Sequence, residues 1–364
     1  MLIVKRVLKK IDSKFSYGID KDSFEDFYKY LDLNNIDYVV LRWFDAYPYI
    51  SIDEDVDILV SDESYKRLKK MCKRGRPKLL SFIKFDIYSV TNMDKYISYY
   101  PPHLANKILQ SKVRHSSGFM VPNDYYHFLS LCYHALFHKG KNSGLSSSFH
   151  ETHSSKHNFK NYLFKLSQLN DLNYTYDDFT IEGIHSILKE HKFTPPVDVY
   201  FRRVPKNEIL SHFLPEMLNT SDYHNSGLTV FILREVINND YYKNKLLKLF
   251  SKYNLSVKSS HLLDYNTSLE FYNISRGGDW GCLSLNSNWG GYPAYVYVVK
   301  DDTMNSSIAE SYPVGHVCYD NVKLIKAEFR DFVNIQVRKS LRCHVLHTSD
   351  NGIEASQYIK LLNI

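Results

Sequence analysis

From Tyr38 to Val60 the chain reads YVVLRWFDAYPYISIDEDVDILV, and this stretch restricts the fold more than any other. An apolar, β-branched run (Tyr38–Leu41) meets a turn-rich segment containing Pro48, and a second apolar run (Val56, Ile58, Leu59, Val60) follows with carboxylates alternating into it. Such a pattern predicts strand, loop, strand. Side chains two apart in a strand share a face, so Asp55 and Asp57 point the same way, ~6–7 Å apart along the chain. Two carboxylates that close repel unless a cation lies between them. Mg²⁺, which takes carboxylate oxygens and substrate phosphates together, is the expected ion.

A third acid, Asp86, interrupts the strand-like run Phe82–Tyr88. On a neighbouring strand it would stand beside the pair, and three such acids can hold two metal ions in phosphoryl chemistry. An Asp-x-Asp strand is also what a solvated face looks like. The apolar residues around the acids, and the matching Asp86 strand, favour a site.

These residues carry a resemblance. Leu41-Arg42, the Pro48 loop, Asp55-Val56-Asp57-Ile58-Leu59-Val60 and the later Asp86 strand resemble the nucleotidyltransferases of the DNA-polymerase-β superfamily, in a branch often found beside bacterial surface-polysaccharide genes. The likeness continues through Val121–Tyr126 and Tyr133–Gly140, and so covers roughly residues 36 to 140. It implies a mixed sheet with a helical extension and a Mg²⁺ site at Asp55, Asp57 and Asp86. It also implies a nucleoside triphosphate and a small-molecule acceptor as substrates. Where the superfamily has a Gly-Ser pair after the first strand, this chain has Leu41-Arg42; the Arg42 fork is suited to phosphate.

The length of 364 residues predicts at least two domains, here 1–217 and 226–364, in an α/β (α+β) fold. With 46 Lys+Arg against 40 Asp+Glu the net charge is only +6, and no dense basic block speaks for nucleic acid. Five scattered cysteines suggest neither a disulfide framework nor a zinc site, and no run reaches membrane-spanning length, so the expected location is cytoplasmic.

Residues 23–31 place apolar groups at helical spacing, a second helix starts at Ser61-Asp62-Glu63, and Leu104–Val113 and Asp124–Phe137 are further helices. On the last of these, His134 and His138 share a face, a spacing that can bind a metal; with no third ligand fixed, a packed, hydrogen-bonded core histidine at His134 is the expectation. Lys139 opens the Gly-, Ser- and His-rich stretch 140–155, either a loop closing over a nucleotide or a surface excursion.

After the polar run Asn219–Ser226, an expected linker, strands at 228–233, 256–263, 292–299 and 343–346 alternate with helices at 241–253, 268–274, 303–312 and 353–362. This predicts a ferredoxin-like βαββαβ sheet with helices on one face. Residues 226–364 also resemble the nucleoside diphosphate kinases: Leu233-Arg234, Glu270-Phe271-Tyr272, Gly290–Val296 and His347-Thr348-Ser349-Asp350 stand where that family has its conserved segments. The resemblance would make His347 a phosphate-carrying nucleophile, although the glutamate that orients the family's histidine falls near Tyr358. Glycines beside Arg276 suit anion binding, and Arg338 and Arg342 join Arg234 and Arg276 as phosphate-binding candidates. Three functions follow: a Mg²⁺-dependent nucleotidyltransferase, a phosphotransferase working through His347, and a non-catalytic nucleotide-binding protein.

Overall fold

The computed structural model describes residues 9–10, 16–20, 24–47, 55–71, 73–74, 82–91, 98–151, 153–195, 199–200, 203–214, 227–275, 290–303, 306–308, 317–338 and 341–362. The chain divides into two compact α/β units, Met1–Thr194 and Pro195–Ile364.

The first unit is built on β1 (Lys9–Lys10), β2 (Ser16–Asp20), α1 (Phe24–Leu33), β3 (Tyr38–Val40), β4 (Asp55–Val60), α2 (Asp62–Met71), β5 (Lys73–Arg74) and β6 (Phe82–Ser89). Its sheet runs β3-β4-β6-β2-β1-β5; β4 and β6 are parallel, while β3–β4 and β6–β2 are antiparallel. The two short N-terminal strands and β5 do not stand out in the sequence, being too short to show a period.

Alternation sorts β4. Val56, Ile58 and Val60 face one way and join Val40, Phe85 and Ile87 in a core closed by Phe27, Tyr28 and Leu31 of α1 and Tyr65 and Leu68 of α2. Asp55, Asp57 and Leu59 therefore fall on the opposite face. There Leu59 and Val39 are fully buried, and helix α3 (Pro102–Gln110) reaches β3 and β4. That face is covered at its Leu59 end and open at Asp55.

After the hairpin β7 (Lys112–Arg114) and β8 (Met120–Pro122), Asn123 caps the central helix α4 (Asp124–Tyr133) by accepting from the Tyr126 amide at 2.9 Å. The helix stops four residues earlier than its apolar run suggests, and His134–Lys139 widens into a π turn. Helices α5 (Phe159–Leu169) and α6 (Ile181–Glu190) pack on α4.

The second unit runs β9 (Leu228–Arg234), α7 (Asp240–Lys252), β10 (Leu255–Leu262), α8 (Tyr265–Ile274), β11 (Pro293–Asp301), the small ribbon β12 (Ser306–Ile308) and β13 (Val317–Tyr319), α9 (Asp320–Asn334), β14 (Leu346–Thr348) and α10 (Gly352–Leu361). Its four-stranded sheet is antiparallel throughout, in the order β10-β11-β9-β14.

Three expectations are corrected here. Helices cover both faces of this sheet: α7 and α9 close the cluster around Phe231, Leu233 and Val299, and α8 and α10 close the one around Val230, Ile232 and Val298. The cause is that β9 and β11 are apolar on both sides, so each face needs a cover. Within the expected helix 303–312, residues 306–308 are the strand β12 and residues 304–305 and 309–312 lie outside the described residues. The last strand begins at Leu346, so its expected span from Cys343 shifts towards the C-terminus. Among the described residues, no helix is long and apolar enough to cross a membrane.

Candidate active site

The parallel pairing of β4 with β6 sets Asp57 directly opposite Asp86 and Asp55 opposite Lys84. In-register neighbours share a face, so the three acids expected from the sequence do converge on one side of adjacent strands. Lys84, Asp86 and Tyr88 alternate along β6 and line the same face.

The carboxylates already hold cations. Arg42 Nη2 lies 2.8 Å from Asp57 Oδ2, with side chains only 6% and 12% exposed. Tyr88 Oη donates to Asp57 Oδ1 at 3.1 Å. Lys84 Nζ sits 2.6 Å from Asp55 Oδ2 and 3.4 Å from Asp86 Oδ2. Backbone geometry delivers Arg42: the Leu41 amide donates to the Asp57 carbonyl at 2.9 Å, extending the ladder past β3 and turning the next residue onto the acid face.

Burial pushes the Asp57 carboxyl above its ordinary value, with Arg42 pulling it back and Asp86 and Asp55 adding to the rise. For Arg42 burial opposes the charge, but Asp57 and the surrounding tyrosines outweigh it and hold the guanidinium protonated. Its Cζ lies 5.2 Å from the centre of the Tyr99 ring, a cation–π contact, and its Nη1 is buried with no hydrogen-bond partner among the described residues.

Tyr99 ties this face to the π turn. Its ring packs on Tyr88 at 4.1 Å and on His138 at 3.7 Å, its hydroxyl bonds His134 Nδ1, and its carbonyl accepts from His138 Nε2 at 2.9 Å. Both histidines are thus engaged by Tyr99; His134 is buried, and burial lowers its pKa well below the ordinary value. Lys139, the next residue, is exposed.

Trp43 follows Arg42 in a left-handed conformation (φ 56°), uncommon for a bulky residue. Its ring stacks on His157 at 4.0 Å and meets Phe159 and Tyr162 edge-on or tilted at 5.2 Å. These partners line two cavities, one of about 460 Å³ (His153, Lys156, His157, Lys160) and one of about 270 Å³ (Phe44, Asp45, His127, Tyr162). Neither cavity is lined by Asp55, Asp57 or Asp86.

An all-carboxylate oxygen set on one face suits a magnesium ion by donor chemistry. The ammonium of Lys84, however, spans Asp55 and Asp86, two of the acids that would hold such an ion. Among the described residues no group of three or more His, Cys, Asp or Glu is placed to hold a metal.

In the second unit, Arg234 is fully buried, and its Nε donates to the Gly291 carbonyl at 2.8 Å. A Cβ at Gly290 would stand 2.3 Å from Arg234 Cζ. The guanidinium is thus packed against a glycine turn. Gly290→Ala is expected to destabilise the chain by about 1–3 kcal/mol, because a buried guanidinium has nowhere to retreat; calorimetry of the full chain, unchanged by the substitution, would contradict that placement. His347 is 4% exposed, paired with Ile232 in the sheet, and its Nε2 is 2.9 Å from Tyr358 Oη. Arg338 is exposed, Arg342 is partly buried, and Arg276 lies outside the described residues.

No protein-family model matches the chain, and no curated protein or solved structure matches it.

Proposed function

We propose that the first unit is a nucleotidyltransferase domain of the polymerase-β type, moving a nucleoside monophosphate from a triphosphate to a small hydroxyl-bearing acceptor, with a surface-polysaccharide precursor as the acceptor class. The observation that carries this reading is the register of β4 and β6, which stacks Asp57 on Asp86 and leaves Asp55 on the same face. The buried Arg42 Nη1 beside them, without a hydrogen-bond partner among the described residues, supports it, since a guanidinium atom left unpaired is costly to bury and a phosphate oxygen would satisfy it. In the second unit, the strand order β10-β11-β9-β14 supports a ferredoxin-like arrangement.

In this reading Asp55 and Asp86 are the residues that would hold magnesium, and the bound ion would supply Lewis-acid polarisation of a phosphoryl oxygen. Arg42 orients the phosphates from its anchorage on Asp57, Tyr88 fixes the Asp57 carboxylate, and an Asp86 oxygen accepts the acceptor's hydroxyl proton. The test is pyrophosphate release from a panel of nucleoside triphosphates with sugar and sugar-phosphate acceptors. Asp57→Asn and Asp86→Asn are each expected to lower turnover at least about a hundredfold; equal activity in wild type and variants would refute the assignment.

A non-catalytic nucleotide-binding protein is the second reading, favoured by the pairing of all three acids with Arg42 and Lys84. His347, buried on a central sheet and bonded to Tyr358, offers no comparable support for a phosphotransferase.

A further inference from the structure

Lys84 was not among the residues that the motif marks, yet it touches two of the three acids. It is in register with Asp55 on the neighbouring strand, and its Nζ bridges Asp55 Oδ2 and Asp86 Oδ2 at 2.6 and 3.4 Å. An ammonium and a divalent ion compete for those oxygens. Charge decides what happens on binding: Asp55, Asp57 and Asp86 carry three negative charges against two positive ones from Arg42 and Lys84. A divalent ion entering while Lys84 stays would reverse the sign of the cluster and face the ammonium at close range. Lys84 is 35% exposed and hangs on a flexible four-carbon stem, so it can swing outward while Arg42, 6% exposed and locked on Asp57, cannot.

Resting on the nucleotidyltransferase reading, we propose that Lys84 is a substrate-phosphate-binding residue parked on the metal acids. A divalent ion displaces it from Asp55 and Asp86, and the freed ammonium takes the polyphosphate that arrives with the ion. The consequence is coupling. The ion alone must strip Lys84 of its partners and offer nothing in return, whereas the ion carrying a polyphosphate replaces both carboxylate contacts at once. Metal and polyphosphate therefore strengthen each other's binding, reciprocally.

The experiment uses the full chain, wild type and Lys84→Met, with Lys84→Gln as a second variant and circular dichroism as the check on folding. Binding of Mn²⁺ alone is followed by the electron-spin-resonance signal of the free ion, and binding of magnesium tripolyphosphate, which needs no base preference, by calorimetry. Both variants are expected to bind Mn²⁺ alone about tenfold more tightly and magnesium tripolyphosphate about tenfold more weakly than wild type, within the usual range of coupling between sites. Opposite signs are the signature, because a merely structural loss would weaken both. Shifts of the same sign, or Mn²⁺ affinity equal in wild type and variants, overturn the role of Lys84 and leave the nucleotidyltransferase reading standing. Absence of Mn²⁺ and tripolyphosphate binding in every protein overturns both.

Discussion

Replacing Arg42 with methionine is expected to destabilise the first unit by about 3–5 kcal/mol, the cost of leaving one partner of a buried ion pair uncompensated. The pair is well enclosed, with the guanidinium 6% and the carboxylate side chain 12% exposed at 2.8 Å. Among the described residues, Asp57 keeps only the Tyr88 hydroxyl as a side-chain partner once Arg42 is gone, and burial already drives its carboxyl up. The variant's Asp57 would escape by taking a proton, so the loss should shrink as the solution is acidified. Urea denaturation of the full chain checks the size, and a double-mutant cycle checks the cause. Asp57→Asn added to Arg42→Met should restore more than half of the lost stability, because no charge is then left buried. A double variant no more stable than Arg42→Met would show that packing over Tyr99, not the charge pair, sets the cost.

The second large effect is a loss of stability in acid. His127 on α4 is 2% exposed, packed against Phe44 at 4.6 Å, and its Nε2 has no hydrogen-bond partner among the described residues. Burial, aided by the charge of Arg42 and opposed by Asp45, pushes its pKa down to about 4 from 6.5. The sign follows from linkage: the unfolded chain takes up this proton first as pH falls. The stability contribution is therefore complete above about pH 6.5 and lost progressively towards pH 4, up to about 3 kcal/mol for a shift of that size. His134, also lowered by burial, adds in the same direction; Asp57, with a raised pKa, works against it. His127→Phe keeps the ring in place and removes the proton site, so melting temperature should depend less steeply on pH between 6.5 and 4 in the variant than in wild type. Identical slopes would mean that His127 takes up its proton as readily in the folded chain as in the unfolded one.

Much of this candidate site is legible in the sequence. The period-2 alternation through Asp55 and Asp57 places both acids on the face away from Val56, Ile58 and Val60, and the lone Asp86 in an apolar run foretells a partner strand. What the pattern could not supply was the counter-charge. Lys84 and Tyr88 stand at the same alternation as Asp86, so their shared face was visible in Phe82–Ser89, but their bonds to Asp55 and Asp57 depend on the parallel register, a long-range property. Tyr99 joins Arg42 to the π turn across a loop, and no local spacing announces it.

In the second unit, α9 lies outside the helices expected from the sequence, although Val322, Ile325, Phe329 and Val333 recur at helical spacing and form its buried face. Arg330 donates from Nε and Nη2 to the Leu346 carbonyl, at 2.9 and 2.7 Å. Arg234 went the same way: a charge that reads as a phosphate ligand in sequence is fully buried against a glycine turn. Basic residues near glycines are ambiguous in a sequence because anion-binding and carbonyl-capping turns use the same composition.

The most direct test is a crystal structure of the full chain with magnesium and a non-hydrolysable nucleoside triphosphate. The account predicts one ion about 2.0–2.1 Å from Asp55 and Asp86 oxygens, with Lys84 turned onto the polyphosphate and Arg42 still on Asp57. A nucleotide bound elsewhere, with Lys84 still bridging Asp55 and Asp86 and no ion between them, would contradict it.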